Sequence, residues 1–186
     1  VGMVMEGGGA AVAAVMGNEQ ERALERANAA ISVFEIEAKH AGIAYGVRSF
    51  AAIPAEAGET IGALARLYDM TIVLQPDSSH ASYDNEIPQH VLFNSGGPML
   101  MVPYIQKGPI DAHHVGIAWD GSRLAARAMR DAMPFLMGAK AVTVVAVNEE
   151  AGEASSDQLV VHLARRGIAA VGLTGPKSGA SLRYGH

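Results

Sequence analysis

Apolar residues along this chain fall into two patterns: short unbroken runs, and longer stretches in which they recur every three or four places. Residues 1–5, 70–74, 98–104, 115–119, 141–147 and 168–173 are unbroken runs. Such runs predict strands buried on both sides, because a strand with one wet face alternates instead. Residues 43–50 predict one more strand. The periodic stretches predict helices over 18–41, 54–68, 87–93, 123–137 and 155–166. In the first of these, Leu24, Ala27, Ile31, Phe34 and Ala38 share one face. Pro134 must bend or end the helix over 123–137, since it lacks an N–H and clashes with the preceding turn. Ser155 or Ser156 is placed to cap the last helix. Gly42 and Gly167 each follow a helix at the C′ position, where a residue without Cβ costs least. Gly7-Gly8-Gly9 predicts a flexible loop between strand and helix; it lacks the Lys-Ser/Thr ending of a phosphate-binding loop. Residues 174–186 have no periodicity and predict a loop.

Strands alternating with helices predict the α/β class: an open, mostly parallel sheet with helices on both faces. The order also echoes itself. One helix ends in Lys39-His40-Ala41-Gly42-Ile43-Ala44 and another in Ala164-Arg165-Arg166-Gly167-Ile168-Ala169, each before a predicted strand. Two related units follow from this, over residues 1–104 and 114–186, with a linker at 105–113.

Composition narrows the picture. The 186 residues are 49% hydrophobic and 18% charged, with a formal charge of −5 and no basic stripe. That balance argues against nucleic acid as the main partner. No apolar run approaches the roughly 20 residues needed to cross a bilayer, so no membrane partner is expected and the cytoplasm is the default compartment. The chain has no cysteine, which removes disulfides, thiolate metal sites and cysteine nucleophiles together.

Val115-Gly116-Ile117-Ala118-Trp119-Asp120-Gly121-Ser122, followed by the alanine-rich Arg123-Leu124-Ala125-Ala126-Arg127-Ala128, resembles the opening of a universal stress protein domain. Pro98-Met99-Leu100-Met101-Val102-Pro103 is similar to the closing strand of that family. The resemblance covers most of residues 1–173 and implies a tandem protein with an adenine nucleotide alpha hydrolase-like fold. It further implies that the first unit lacks its first strand and helix and that the second is cut short, so the sequence is expected to be incomplete at both ends. Members of the family dimerise or pair two units within one chain, which here implies a homodimer or intramolecular pairing through the strand over 98–104.

In the family, the Asp of the Asp-Gly-Ser turn lies beside the adenosine of ATP. The resemblance therefore implies ATP or another adenine nucleotide as ligand of the second unit, held by Ala118, Asp120, Gly121, Ser122 and Val147. The chemistry suits this: a carboxylate at the end of a parallel strand can accept from a ribose hydroxyl or a base amino group, and a helix N-terminus suits an anion. Asp-Gly-Ser is equally explained as a turn plus a helix cap, and Val147 as ordinary sheet core. The family's phosphate-binding glycine motif is missing after residues 70–74, where Gln75-Pro76-Asp77-Ser78-Ser79-His80 stands instead. Pro76 has no N–H to donate and Asp77 would repel phosphate, so the first unit is not expected to bind ATP.

No metal site is expected. His113 and His114 are adjacent on a strand and point to opposite faces. His80, Asp84, Glu86 and His90 fall in one loop-helix region, with Glu86 and His90 a turn apart, but read as surface residues. Met99 and Met101 read as core or interface filler. No nucleophile motif or triad is present, and no catalytic residue is assigned. Three functions remain: a stress-response regulatory protein that holds a small ligand, an enzyme that hydrolyses ATP or transfers adenylate, and a partner-binding module without a ligand.

Overall fold

The computed structural model describes residues 8–50, 52, 54–79, 82–149 and 152–175. The strand expected at residues 1–5 and most of the loop expected at 174–186 lie outside them. By compactness the chain divides between Thr60 and Ile61.

The first unit is dominated by helix α1, Gly8–His40. Helix was expected only from residue 18, with the three glycines as a loop. Gly8 and Gly9 instead carry helical backbone. The alanine-rich sequence just after them has the highest helix propensity, and propagation from it outweighs the roughly 1 kcal/mol that each glycine costs. Lys39 and His40 in the last turn complement the helix dipole. The end is a Schellman motif: the Gly42 N–H donates to Lys39 O at 3.2 Å and the Ile43 N–H to Ala38 O at 3.0 Å. Gly42 takes a φ of 66°, in the left-handed region that glycine enters without penalty. Residues 43–50 form no strand, against expectation. A strand's hydrogen bonds are made to another strand, and none among the described residues pairs here. Tyr45 instead sets its ring edge-on to Phe34, centroids 5.7 Å apart.

Helix α2, Pro54–Ala65, begins on proline, whose missing N–H is harmless in a first turn. It ends three residues sooner than expected, in a turn through Tyr68. The second unit holds two separate parallel sheets. In the smaller, β1 (Thr71–Leu74) pairs with β2 (Met99–Val102). A short 3-10 turn and α3 (Ile87–Asn94) link them. Val73 and Val91 are buried with Ala65, and Ile61, Ile87 and Met99 pack around them.

The larger sheet has the order β3-β4-β5, from His114–Ala118, Ala141–Val147 and Ala170–Gly175. All pairs are parallel: Ile117 lies opposite Val144, which lies opposite Gly172. Crossovers run through α4 (Arg123–Asp131), α5 (Met133–Gly138) and α6 (Ser156–Ala164). The helix expected over 123–137 is thus two helices. The break falls at Ala132, and Pro134 sits in the first turn of α5. The core gathers Ile117, Val142 and Val144 from the sheet and Met129, Leu136, Leu159 and Leu163 from the helices.

The strands are not buried on both sides. β4 alternates, with Val142, Val144 and Ala146 buried and Val145 and Val147 exposed. On β5, Val171 and Leu173 are exposed as well. Helices were expected on both faces of this sheet; among the described residues they cover one. Consecutive right-handed crossovers that step in one direction place their helices on the same side. Apolar composition alone does not tell a doubly covered strand from a singly covered one.

Candidate functional site

Strands β3 and β4 are parallel neighbours, so their carboxyl ends lie side by side. A crevice of about 440 Å³ opens there. One wall is Trp119-Asp120-Gly121, leaving β3; the other is Val147-Asn148-Glu149, leaving β4; Gly152 and Ala154 close it. Open α/β sheets receive ligands at the carboxyl ends of their strands, and most often where the strand order reverses; here β3, β4 and β5 step in one direction, so the crevice has the first feature and not the second.

Each wall is fixed by local chemistry. The Trp119 N–H extends the ladder by donating to Val145 O at 2.8 Å. Its indole Nε1 donates to Ala154 O, also at 2.8 Å, and pins the far loop across the crevice. Asp120 Oδ1 accepts from the Ser122 N–H at 2.9 Å. Ser122 Oγ then accepts from the Ala125 N–H at 3.1 Å and caps α4. Gly121 is required twice over: its φ is 73°, and a Cβ there would meet Ala154 O at 3.1 Å. On the other wall Asn148 has a φ of 56°, a conformation that Asn tolerates better than most residues. The Glu149 carboxylate accepts from the backbone N–H of Ser156, and its second oxygen accepts from Ser156 Oγ at 2.6 Å. Ser156 is fully buried, so this bond satisfies a hydroxyl that water cannot reach.

Two acidic residues, Asp120 and Glu149, therefore line the crevice. Hydrogen bonds from Ser122, through side chain and backbone, hold Asp120 below the usual carboxylate range, and it is ionised at neutral pH. Among the described residues, none that lines the crevice is basic.

Of the five residues expected at the site, Asp120, Gly121 and Val147 line the crevice. Ala118 lies on the open face of the sheet, opposite Val145, and Ser122 is turned to its capping role. Val147, read as core, is 63% exposed. Sequence reasoning missed Trp119, Asn148, Glu149 and Ala154. An acid just beyond a strand and shortly before a Ser-Ser helix start was the signal available for Glu149.

A larger hollow, about 540 Å³, lies at the opposite end of the sheet. Its lining, Pro109 to His113 with Pro134, Phe135 and Gly138, is mostly apolar. The one ionic feature is the pair His113 Nδ1–Asp111 Oδ1, at 2.5 Å. The backbone N–H of His113 and its imidazole together hold Asp111 below its ordinary value. The lining includes no Ser, Thr, Cys or Lys for that pair to activate. The crevice is the better candidate because it lies at the strands' carboxyl ends.

The loop after β1 is knit by its own side chains. Asp77 Oδ1 accepts from the N–H and the hydroxyl of Ser79, at 2.9 and 2.6 Å. Asn85 bridges to the Asp77 backbone at both its N–H and its carbonyl. Of the His80, Asp84, Glu86 and His90 group, His80 lies outside the described residues. Among the described residues no three His, Asp or Glu come together to hold a metal ion, and no helix is long and apolar enough to cross a membrane.

No family model matches the chain, and no curated protein matches it.

Proposed function

We propose that this chain is a regulatory ligand-binding protein of the universal stress type, and that its second half holds the adenosine part of an adenine nucleotide in the crevice between β3 and β4. One observation carries the reading: an ionised carboxylate, Asp120, stands on a glycine turn at the carboxyl end of a parallel strand, beside a cleft wide enough for a small ligand. Asp120 accepts hydrogen bonds from ribose hydroxyls or an exocyclic amine, and the exposed Val147 gives a flat base an apolar surface. The resemblance of residues 98–103 and 115–128 to the family supports the same reading.

Calorimetric titration of the chain with adenosine and adenine nucleotides tests it. Saturable binding that is lost in Asp120→Ala is the expected result. Absence of binding by every adenine compound overturns it. A radiolabelled ATP turnover assay separates a binding protein, with binding and no turnover, from an ATP-hydrolysing enzyme.

The reading as a partner-binding module also has a specific observation behind it. Val145, Val147, Val171 and Leu173 leave an apolar sheet face exposed. Under that reading Asp120→Ala leaves function intact.

A further inference from the structure

The hollow at the amino ends of β3 and β4 has the make-up of a small-molecule site in its own right. Its volume, about 540 Å³, lies within the roughly 300–1,000 Å³ usual for such sites, which are mostly apolar with a few fixed polar groups. One wall is the segment from Pro109 to His113; the other is Pro134, Phe135 and Gly138 of α5. Both walls are stiff. Proline fixes φ at Pro109 and again at Pro134. Leu136, beside Phe135, is 1% exposed and anchors α5 in the core. The His113 carbonyl accepts from the N–H of Lys140 at 2.7 Å and of Ala141 at 3.1 Å, which ties the first wall to the start of β4. Ile110 is exposed and Phe135 half-buried, so each wall presents apolar surface that is already in place.

The polar group in the hollow is a histidine held in one orientation. Asp111 Oδ1 accepts from the His113 N–H at 2.8 Å and lies 2.5 Å from its Nδ1. That N–H and the imidazole hold the Asp111 carboxyl below its ordinary value, so it is ionised at neutral pH. Nδ1 therefore carries a proton, and Nε2 is the ring nitrogen that a ligand can use. From the oriented imidazole between two rigid apolar walls we infer that this hollow is a second binding site, and that it takes a small uncharged phenol. A phenolic hydroxyl suits Nε2 in either charge state of the ring, donating to the neutral form and accepting from the protonated one. The aromatic body lies against Ile110 and Phe135. A carboxylate in the same place would meet the like charge of Asp111. The hollow and the crevice are at opposite ends of β4, whose seven residues span about 23 Å, so the inference does not depend on what the crevice binds.

The test is an NMR titration of the isotope-labelled full chain with four ligands of one shape: p-cresol, toluene, p-toluate and 4-methylbenzylamine. p-Cresol is expected to give saturable shifts centred on the amides of residues 110–113 and 135–138. It should bind about two- to tenfold more tightly than toluene, the range of one net hydrogen bond. His113→Phe keeps a ring at a position whose side chain is 54% exposed, and should bring p-cresol and toluene to equal affinity. Phe135→Ala should weaken both ligands together. Shifts that never saturate, or that centre elsewhere, overturn the site. Equal binding of toluene and p-cresol by the unaltered chain, or a preference for p-cresol that survives His113→Phe, overturns the role of the imidazole and the choice of a phenol with it. Tightest binding by p-toluate or by 4-methylbenzylamine overturns the uncharged class.

Discussion

Helices α1 and α6 end in the same way and lead to different outcomes. Both close with a glycine of positive φ, 66° at Gly42 and 75° at Gly167. Both then place an isoleucine whose N–H reaches back five residues, to Ala38 O at 3.0 Å and to Leu163 O at 3.1 Å. After that they part. Ile168 is 5% exposed, joins the core under the larger sheet, and leads into β5. Ile43 is 61% exposed and leads into a segment with no strand. A helix stop is written in six consecutive residues and forms wherever they occur. A strand has no such autonomy, because its hydrogen bonds are made to a partner. β4 supplies that partner to β5 through six paired positions, and nothing described does so for residues 43–50.

The comparison breaks most easily at the two isoleucines. Ile168→Ala should cost about 2–5 kcal/mol, the usual range for truncating a buried aliphatic side chain. Ile43→Ala should stay within about 0.5 kcal/mol. Urea unfolding of both variants checks this, and equal losses would mean that residues 43–50 are packed after all. At the glycines the expectation reverses. A Cβ at Gly42 or Gly167 meets nothing within 4 Å, so only the backbone penalty remains. Gly42→Ala and Gly167→Ala should each cost about 1–2 kcal/mol, read as lost stability of the respective helix. A several-fold difference between them would show that tertiary context, not the local motif, sets the stop.

Smaller effects sharpen the same contrast at helix starts. Ser122→Ala removes a cap bond of 3.1 Å and should cost about 1 kcal/mol. Ser155→Ala removes a longer one, 3.4 Å, and should cost less in the same melting experiment. The smallest effect is acid dependence at Asp120. Its carboxyl is held below its ordinary value of 3.8 in the folded chain. Its contribution is therefore complete above that value and is lost as pH falls through the lower, folded one. Asp120→Asn should flatten the fall in melting temperature below about pH 4 and leave the curve near neutrality unchanged in shape. An unaltered acid limb would mean the Ser122 bonds contribute nothing.

Features that depend on neighbours in sequence were legible before any coordinates. Gly42 and Gly167 are at C′ and Ser155 caps α6, whereas the apolar run over 141–147 is β4 to the residue because β3 and β5 lie on either side to pair with it. Pro134 ends one helix by beginning the next. Features that depend on distant partners were not. The exposed alternation of β4 reflects which side its crossovers take, and the residues do not state that choice. At the site, Asp120 and Gly121 carry a recognisable turn. Glu149 matters only because a loop brings it back onto Ser156, and Trp119 because its indole reaches 35 positions along the chain to Ala154.

That indole bond makes the crevice observable with light. Trp119 is the only tryptophan in the sequence, is 9% exposed, and spans the cleft with its N–H. Its emission comes from a dry surrounding when the far loop is pinned and shifts to longer wavelength if the loop lets water in. Any compound that settles against Asp120 also lies beside this one fluorophore, so occupancy can be followed in real time without a label.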